Sequence, residues 1–195
     1  MVTGGRSNTP NTVEIRNSTI ADNTVSGRFP NIGSISAGGG VDNSDSPLTL
    51  IDTTVSGNVV LEGFHLTVVG GGISNDDQSP LMLVNTSVSS NRSDGDGGGI
   101  ANEDSAITLI HSTITGNIAR EEGGGLHSDF GTVTLRRTLI AGNAAAGAPE
   151  IAIRASPVNV GSHNLLRPQR AIGGHRLQPR RDGHRARRRL GRDPP

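Results

Sequence analysis

Few side chains in this chain have the type and spacing that chemistry needs. Asp76 and Asp77 are its one adjacent Asp pair, and hydrolysis of a glycan calls for paired carboxylates acting as general acid and base. They sit in GISNDDQSP between two expected strands, where a solvated turn accounts for them. Enzymes acting on acidic polysaccharides also hold substrate carboxylates with basic side chains, and this sequence contains no Lys. Arg120 lies in IAREEGGG beside Glu121 and Glu122 and reads as part of an exposed charged loop. His65, His111, His127 and His163 occupy different positions of the repeat described below, so they do not stack into a ligand cluster. Exposure is expected for His111 and His127. Calcium has one place to consider, GDGGG with Asp94 and Asp96, which occurs once and without the nonapeptide of calcium-binding solenoids. No catalytic residue, metal or cofactor is assigned, and the chain reads as non-catalytic before it reads as an enzyme.

The elements that would position such residues follow from composition and period. Among 195 residues there are 28 Gly, three Phe, no Trp, Tyr or Cys, so an interior must be filled by aliphatic side chains in thin layers, without disulfides. No run of 18 apolar residues suggests a membrane span, and MVTGGRSNTP has neither region of a signal peptide. The charge is uneven: residues 1–166 carry 8 Arg against 16 acidic residues, and residues 167–195 carry 10 Arg against two Asp.

Five segments align without gaps: VEIRNSTIADN from Val13, LTLIDTTVSGN from Leu48, LMLVNTSVSSN from Leu81, ITLIHSTITGN from Ile107 and VTLRRTLIAGN from Val133. Four glycine triplets stand between them, GGGVDN, GGGISN, GGGIAN and GGGLHS. The first and third positions are aliphatic, which is the period of a strand with one buried face. The sixth is Ser or Thr and the eighth β-branched. Moving from the third to the sixth breaks the alternation, so the chain bends there. Each segment ends at Asn23, Asn58, Asn91, Asn117 or Asn143, and Asn belongs at a turn because it tolerates the left-handed conformation. Stacked about 4.8 Å apart, these amides would form a ladder. A third strand is expected at the glycine triplet, where the missing Cβ lets the backbone corner tightly.

The expectation is all-β: a right-handed, single-stranded parallel β-helix of about five to six coils. Residues 1–12 form an edge or partial coil, 13–166 the repeats, and 167–195 an Arg-rich disordered tail. A propeller blade needs about 40 residues and antiparallel hairpins, and a disordered chain would not keep its aliphatic residues in columns. The tail has no aliphatic column. It reads either as a phosphate-binding segment or, preferably, as the Arg, Pro, Gly and His that out-of-frame reading of a GC-rich gene yields; nucleic acid is not expected as a partner.

The wording IADN, VSGN, VSSN, ITGN and IAGN, each followed by Gly-Gly-Gly-aliphatic in all but the last, resembles the repeat of the polymorphic outer-membrane protein family. GGGIANE with ITLIHSTITGN is similar to bacterial right-handed β-helix proteins of the pectate-lyase-like superfamily, and VGSHNLL to the segment that closes such arrays. The resemblance covers residues 13–166 and implies export or surface display, with adhesion or contact with a carbohydrate or protein as the role. A partial or degenerate polysaccharide lyase or glycoside hydrolase is the alternative. Within the array, length variation enters at one corner. From each turn Asn to the next triplet the spacing is 15, 12, 6 and 6 residues. The two longer connections contain Phe29, Asn31, Phe64 and His65, and insertions in solenoids commonly build the binding face. These four residues are the candidate ligand or partner face, with the two Phe as platforms for a sugar ring or an apolar patch.

Overall fold

A computed structural model describes residues 12–26, 35–61 and 66–167. Within them the fold is all-β and every strand pairing is parallel. One six-stranded sheet stacks Val13–Arg16, Leu48–Ile51, Leu81–Val84, Ala106–Ile110, Thr132–Arg136 and Val158–Val160. A second stacks Thr19–Ala21, Thr54–Ser56, Ser87–Ser89, Thr113–Thr115, Leu139–Ala141 and Leu165–Arg167. Neighbouring strands in each sheet come from successive repeats, so the aligned positions become spatial columns. Leu50 lies beside Leu83, Leu83 beside Leu109, and Leu109 beside Leu135. The arrangement is consistent with a parallel β-helix. No helix among the described residues is long and apolar enough to cross a membrane.

The coil has more sides than the sequence suggests. After each of the first four turn Asn residues comes a short strand: Thr24–Ser26, Val59–Leu61, Arg92–Ser93 and Ile118–Ala119 form a four-stranded sheet of their own. The strand expected at the glycine triplet starts just past it. Val41–Asn43, Ile73–Asn75, Ile100–Glu103, Leu126–Asp129 and Ile151–Arg154 make that five-stranded sheet. The two long connections add a further pair, Ile35–Gly38 with Leu66–Gly70. The post-Asn strands are two or three residues long, too short for a period of two to register in a sequence.

Two corners of each repeat are made by single residues in the left-handed region. The fifth position of every repeat adopts it: Asn17, Asp52, Asn85, His111 and Arg137, with φ of 47 to 52°. One such residue between extended neighbours turns the chain, which is the bend implied by the break in alternation. At the second corner the expectation needs correcting. The turn Asn does not take the left-handed conformation; the residue before it does, namely Asp22, Gly57, Ser90, Gly116 and Gly142.

Inside, Leu50, Val55, Ile73, Leu83, Val88, Ile100, Leu109, Ile114, Leu126, Leu135 and Ile140 belong to one continuous fully buried core. Each such side chain contributes roughly 1.5–3 kcal/mol by leaving water. The sixth-position hydroxyls of the second to fifth repeats, Thr53, Thr86, Ser112 and Thr138, are buried as well. Thr86 Oγ1 donates to Val84 O at 3.0 Å and Thr138 Oγ1 to Arg136 O at 3.1 Å, each holding the bend two residues back. In the last coil Asn164 takes this column, accepting from Thr138 N at 2.8 Å.

The alternation makes a sharp prediction within the strand Thr113–Thr115, where Ile114 is buried and its neighbours are partly exposed. Ile114→Asp places an unpaired carboxylate in the core and is expected to cost about 3–5 kcal/mol. Thr113→Asp is expected to stay within about 0.5 kcal/mol. Urea melts of both variants check this, and equal losses would mean the assigned register is wrong.

Candidate functional site

The Asn residues singled out in the sequence form the ladder. Nδ2 of Asn23 donates to Oδ1 of Asn58 at 2.9 Å, and the same bond recurs at 3.0 Å from Asn58 to Asn91, Asn91 to Asn117 and Asn117 to Asn143. Each Oδ1 also accepts a backbone N–H, as Asn117 Oδ1 does from Asn91 N at 3.0 Å. The second Nδ2 proton goes to a carbonyl of the preceding coil, as from Asn117 to Val88 O at 3.0 Å. An amide has two donor protons and two acceptor lone pairs, and here all four are used, which is what allows Asn58, Asn91, Asn117 and Asn143 to be completely buried. The ladder ends on a residue that, in register, takes the place of the next triplet's third glycine: Leu126 N donates to Glu150 O as Ile100 N does to Gly125 O, each at 3.0 Å. The buried carboxylate of Glu150 accepts from Asn143 Nδ2 at 2.6 Å and from Gly142 N at 3.0 Å, standing where the next coil's amide would.

The third glycine of each triplet packs against this ladder. A Cβ at Gly72 would lie 2.9 Å from Asn91 Nδ2, and one at Gly99 would lie 2.9 Å from Asn117 Nδ2 and 2.5 Å from Gly125 O. The middle glycines meet backbone of a neighbouring coil: a Cβ at Gly98 would be 2.4 Å from the Ile118 carbonyl carbon. Close approach therefore requires glycine at these positions, whereas a positive φ occurs only at the first glycine of two triplets, Gly97 and Gly123. Gly99→Ala is expected to cost about 3 kcal/mol or more by overpacking. Gly116→Ala, left-handed but with its nearest new neighbour 3.7 Å away, is expected to cost only about 1 kcal/mol. Thermal unfolding of the two proteins tests the order.

A second ladder escaped the sequence reading. Asn43 Nδ2 donates to Asn75 Oδ1 at 2.6 Å, Asn75 to Asn102 at 2.7 Å, and Asn102 to Ser128 Oγ at 3.0 Å. Its signal was the third residue after each triplet in VDN, ISN, IAN and LHS.

The remaining candidates are distributed as follows. Phe29, Asn31, Phe64 and His65 lie outside the described residues. His111 and His163 are exposed, as are Arg120 and Glu121. Two expectations are overturned. Asp76 is buried at 8% exposure, and only Asp77 has the solvent contact read for the pair. His127 is also buried at 8%, because it sits between Ala101 and Ala152 in its sheet, on a face that other parts of the coil cover. Its Nδ1 stands 3.8 Å from Asp96 Oδ2. Asp96 Oδ1 accepts from Glu122 N at 2.8 Å, and Asp94 pairs with Arg92 at 2.9 Å, so the carboxylate of GDGGG and the one just before it both serve contacts within the fold. Among the described residues no three carboxylate or imidazole groups are placed to hold a metal ion.

One electrostatic feature is built by stacking. Glu103 pairs with Asp129, and Asp76 follows Asn75, the partner of Asn102, so Asp76, Glu103 and Asp129 stand in consecutive coils with Asp77 and Asp104 beside them. Desolvation first, then the charges of Asp104, Asp129, Asp76 and Asp77, raise the Glu103 carboxyl above its ordinary value of 4.5. The folded state thus holds this proton more tightly than the unfolded chain, and stability falls as pH rises from the ordinary carboxylate range through the raised one. Glu103→Gln is expected to remove that fall, leaving the variant more stable than the native protein at neutral pH and equal to it near the acid end. Melting temperatures across pH test the sign.

Comparison with known proteins finds no matching family model, and no curated protein or solved structure matches either.

Proposed function

We propose that this chain is a non-catalytic binding module, a right-handed parallel β-helix of the pectate-lyase-like kind, that attaches a carbohydrate or a partner protein at the corner where the insertions enter. The observation that carries the reading is the extra parallel pair at this corner. Ile35–Gly38 and Leu66–Gly70 arise from the two longest connections and lie side by side, with one irregularity between Ile35 and Ser36. Ala37 and Val69 pack with Val60 in an apolar cluster separate from the main core. Insertions that merely lengthened loops would need no core of their own. Here they fix adjacent segments of two coils, with Phe29 and Asn31 ahead of one strand and Phe64 and His65 ahead of the other. Secretion or display at a cell surface follows from the sequence resemblance.

The double variant Phe29→Ala with Phe64→Ala is expected to lose attachment on a glycan and protein array while its thermal midpoint moves only modestly. Retained binding with a loss of about 3–5 kcal/mol per ring would show instead that the rings seal their loops. Lyase and hydrolase assays on the native protein accompany the array, and turnover of any polysaccharide would replace this reading with the enzymatic one.

A further inference from the structure

The columns that form the core are closed in the middle of the stack and open at its ends. In the eighth-position column Val55, Val88, Ile114 and Ile140 are wholly buried, while Ile20 at one end is half-buried and Leu166 at the other is 41% exposed. The first- and third-position columns behave alike: Val133 and Leu135 are wholly buried, whereas Val158 and Val160 above them are 40% and 57% exposed. Among the described residues the backbone makes no further strand pairing at the same place. Val13 N donates to Pro47 O, Leu48 N to Pro80 O and Val133 N to Pro157 O, each to the residue just before the next coil's first strand. Val158 holds this position in the last coil, and no described strand lies beyond it. Such an edge is a template for a further parallel strand.

We propose that this edge docks the first coil of a second copy of the chain, so that the protein associates head to tail along the stack. The first coil carries the matching pattern, strand for strand. Val13–Arg16 would lie on Val158–Val160 and Thr19–Ala21 on Leu165–Arg167, setting Val13 on Val158, Ile15 on Val160 and Ile20 on Leu166 in the register that every internal pair already uses. Charge favours this occupant. Among the described residues from 12 to 52 there are Glu14, Asp22, Asp42, Asp45 and Asp52 against Arg16, while from 130 to 167 there are Arg136, Arg137, Arg154 and Arg167 against Glu150. An acidic first end thus meets a basic last end. The contact is heterologous, joining two different surfaces, so it propagates into open chains rather than closing as a symmetric dimer. The Glu150 carboxylate closes the Asn ladder one coil short of this edge, leaving the first and second sheets as the contact.

Sedimentation velocity of the native protein across concentration, at low and high salt, tests the proposal. The mass is expected to grow with concentration beyond that of a dimer and to fall as salt screens the opposed ends. Val160→Lys with Leu166→Lys is expected to weaken association by about tenfold or more with an unchanged circular dichroism spectrum, while Met82→Lys, at an exposed mid-stack position, leaves it intact. Ile15→Lys blocks the opposite end, and mixing it with the first variant is expected to give heterodimers, because each retains one open end. A native protein that is monomeric at every concentration, or association indifferent to Val160→Lys with Leu166→Lys, overturns the proposal.

Discussion

Everything in this stack depends on how closely the Asn ladder and the glycine column approach each other. The amide of Asn117 reaches into the coil and meets the backbone of Gly99 at a distance that leaves no room for a Cβ. Because the two sides of the coil touch there through an amide and a bare backbone, the interior narrows at that corner and no large side chain is needed to fill it. The amide must then find every hydrogen-bond partner inside the protein, since no water can reach it. It does so only if the coils above and below present the same amide at the same place. The repeat is therefore a requirement of satisfying buried polar groups, in addition to a pattern of hydrophobic residues.

The same requirement explains the end of the ladder. A stack of amides that all point one way leaves donors over at its last member, and the chain meets them with a carboxylate, Glu150, in place of another amide. The bends obey a related rule. Most corners hold a residue in the left-handed region, including His111, Arg137 and Phe130, which lack the local hydrogen bonds that ease Asn and Asp into it. Parallel pairing on both sides of these residues outweighs a strain of about 1–2 kcal/mol apiece.

Insertions and other departures from a repeat are where solenoids commonly build a binding face. Most regular positions are committed to the interior, to the corners or to the ladders, and Asp96, which in isolation looks like chemistry, accepts a bond from the backbone of the neighbouring coil at Glu122. The departures are the insertions that build their own paired strands and small core, and the exposed last described coil. The acidic stack in which Glu103 titrates above its ordinary range comes instead from recurrence, with acidic residues at equivalent places in three consecutive coils.

What the sequence determined by itself was whatever recurs at a fixed spacing. The inward position of Ile114, the outward position of Thr113, the bend after the fourth residue and the run of Asn23, Asn58, Asn91, Asn117 and Asn143 all follow from columns, because a parallel stack maps equal sequence positions onto equal places. The tertiary structure alone decided what depends on neighbours outside the repeat. Burial of Asp76 and His127 reflects what covers the outer face of one sheet, and Glu150, standing in the column of the third glycines without being one, turns its carboxylate onto the ladder. The strands after each turn Asn were too short to leave a period, and the need for Gly99 came from an approach across the coil that no local propensity encodes. Periodicity fixes contacts between equivalent residues in successive coils, and contacts between unlike parts of the coil exist only once the chain has closed around its core.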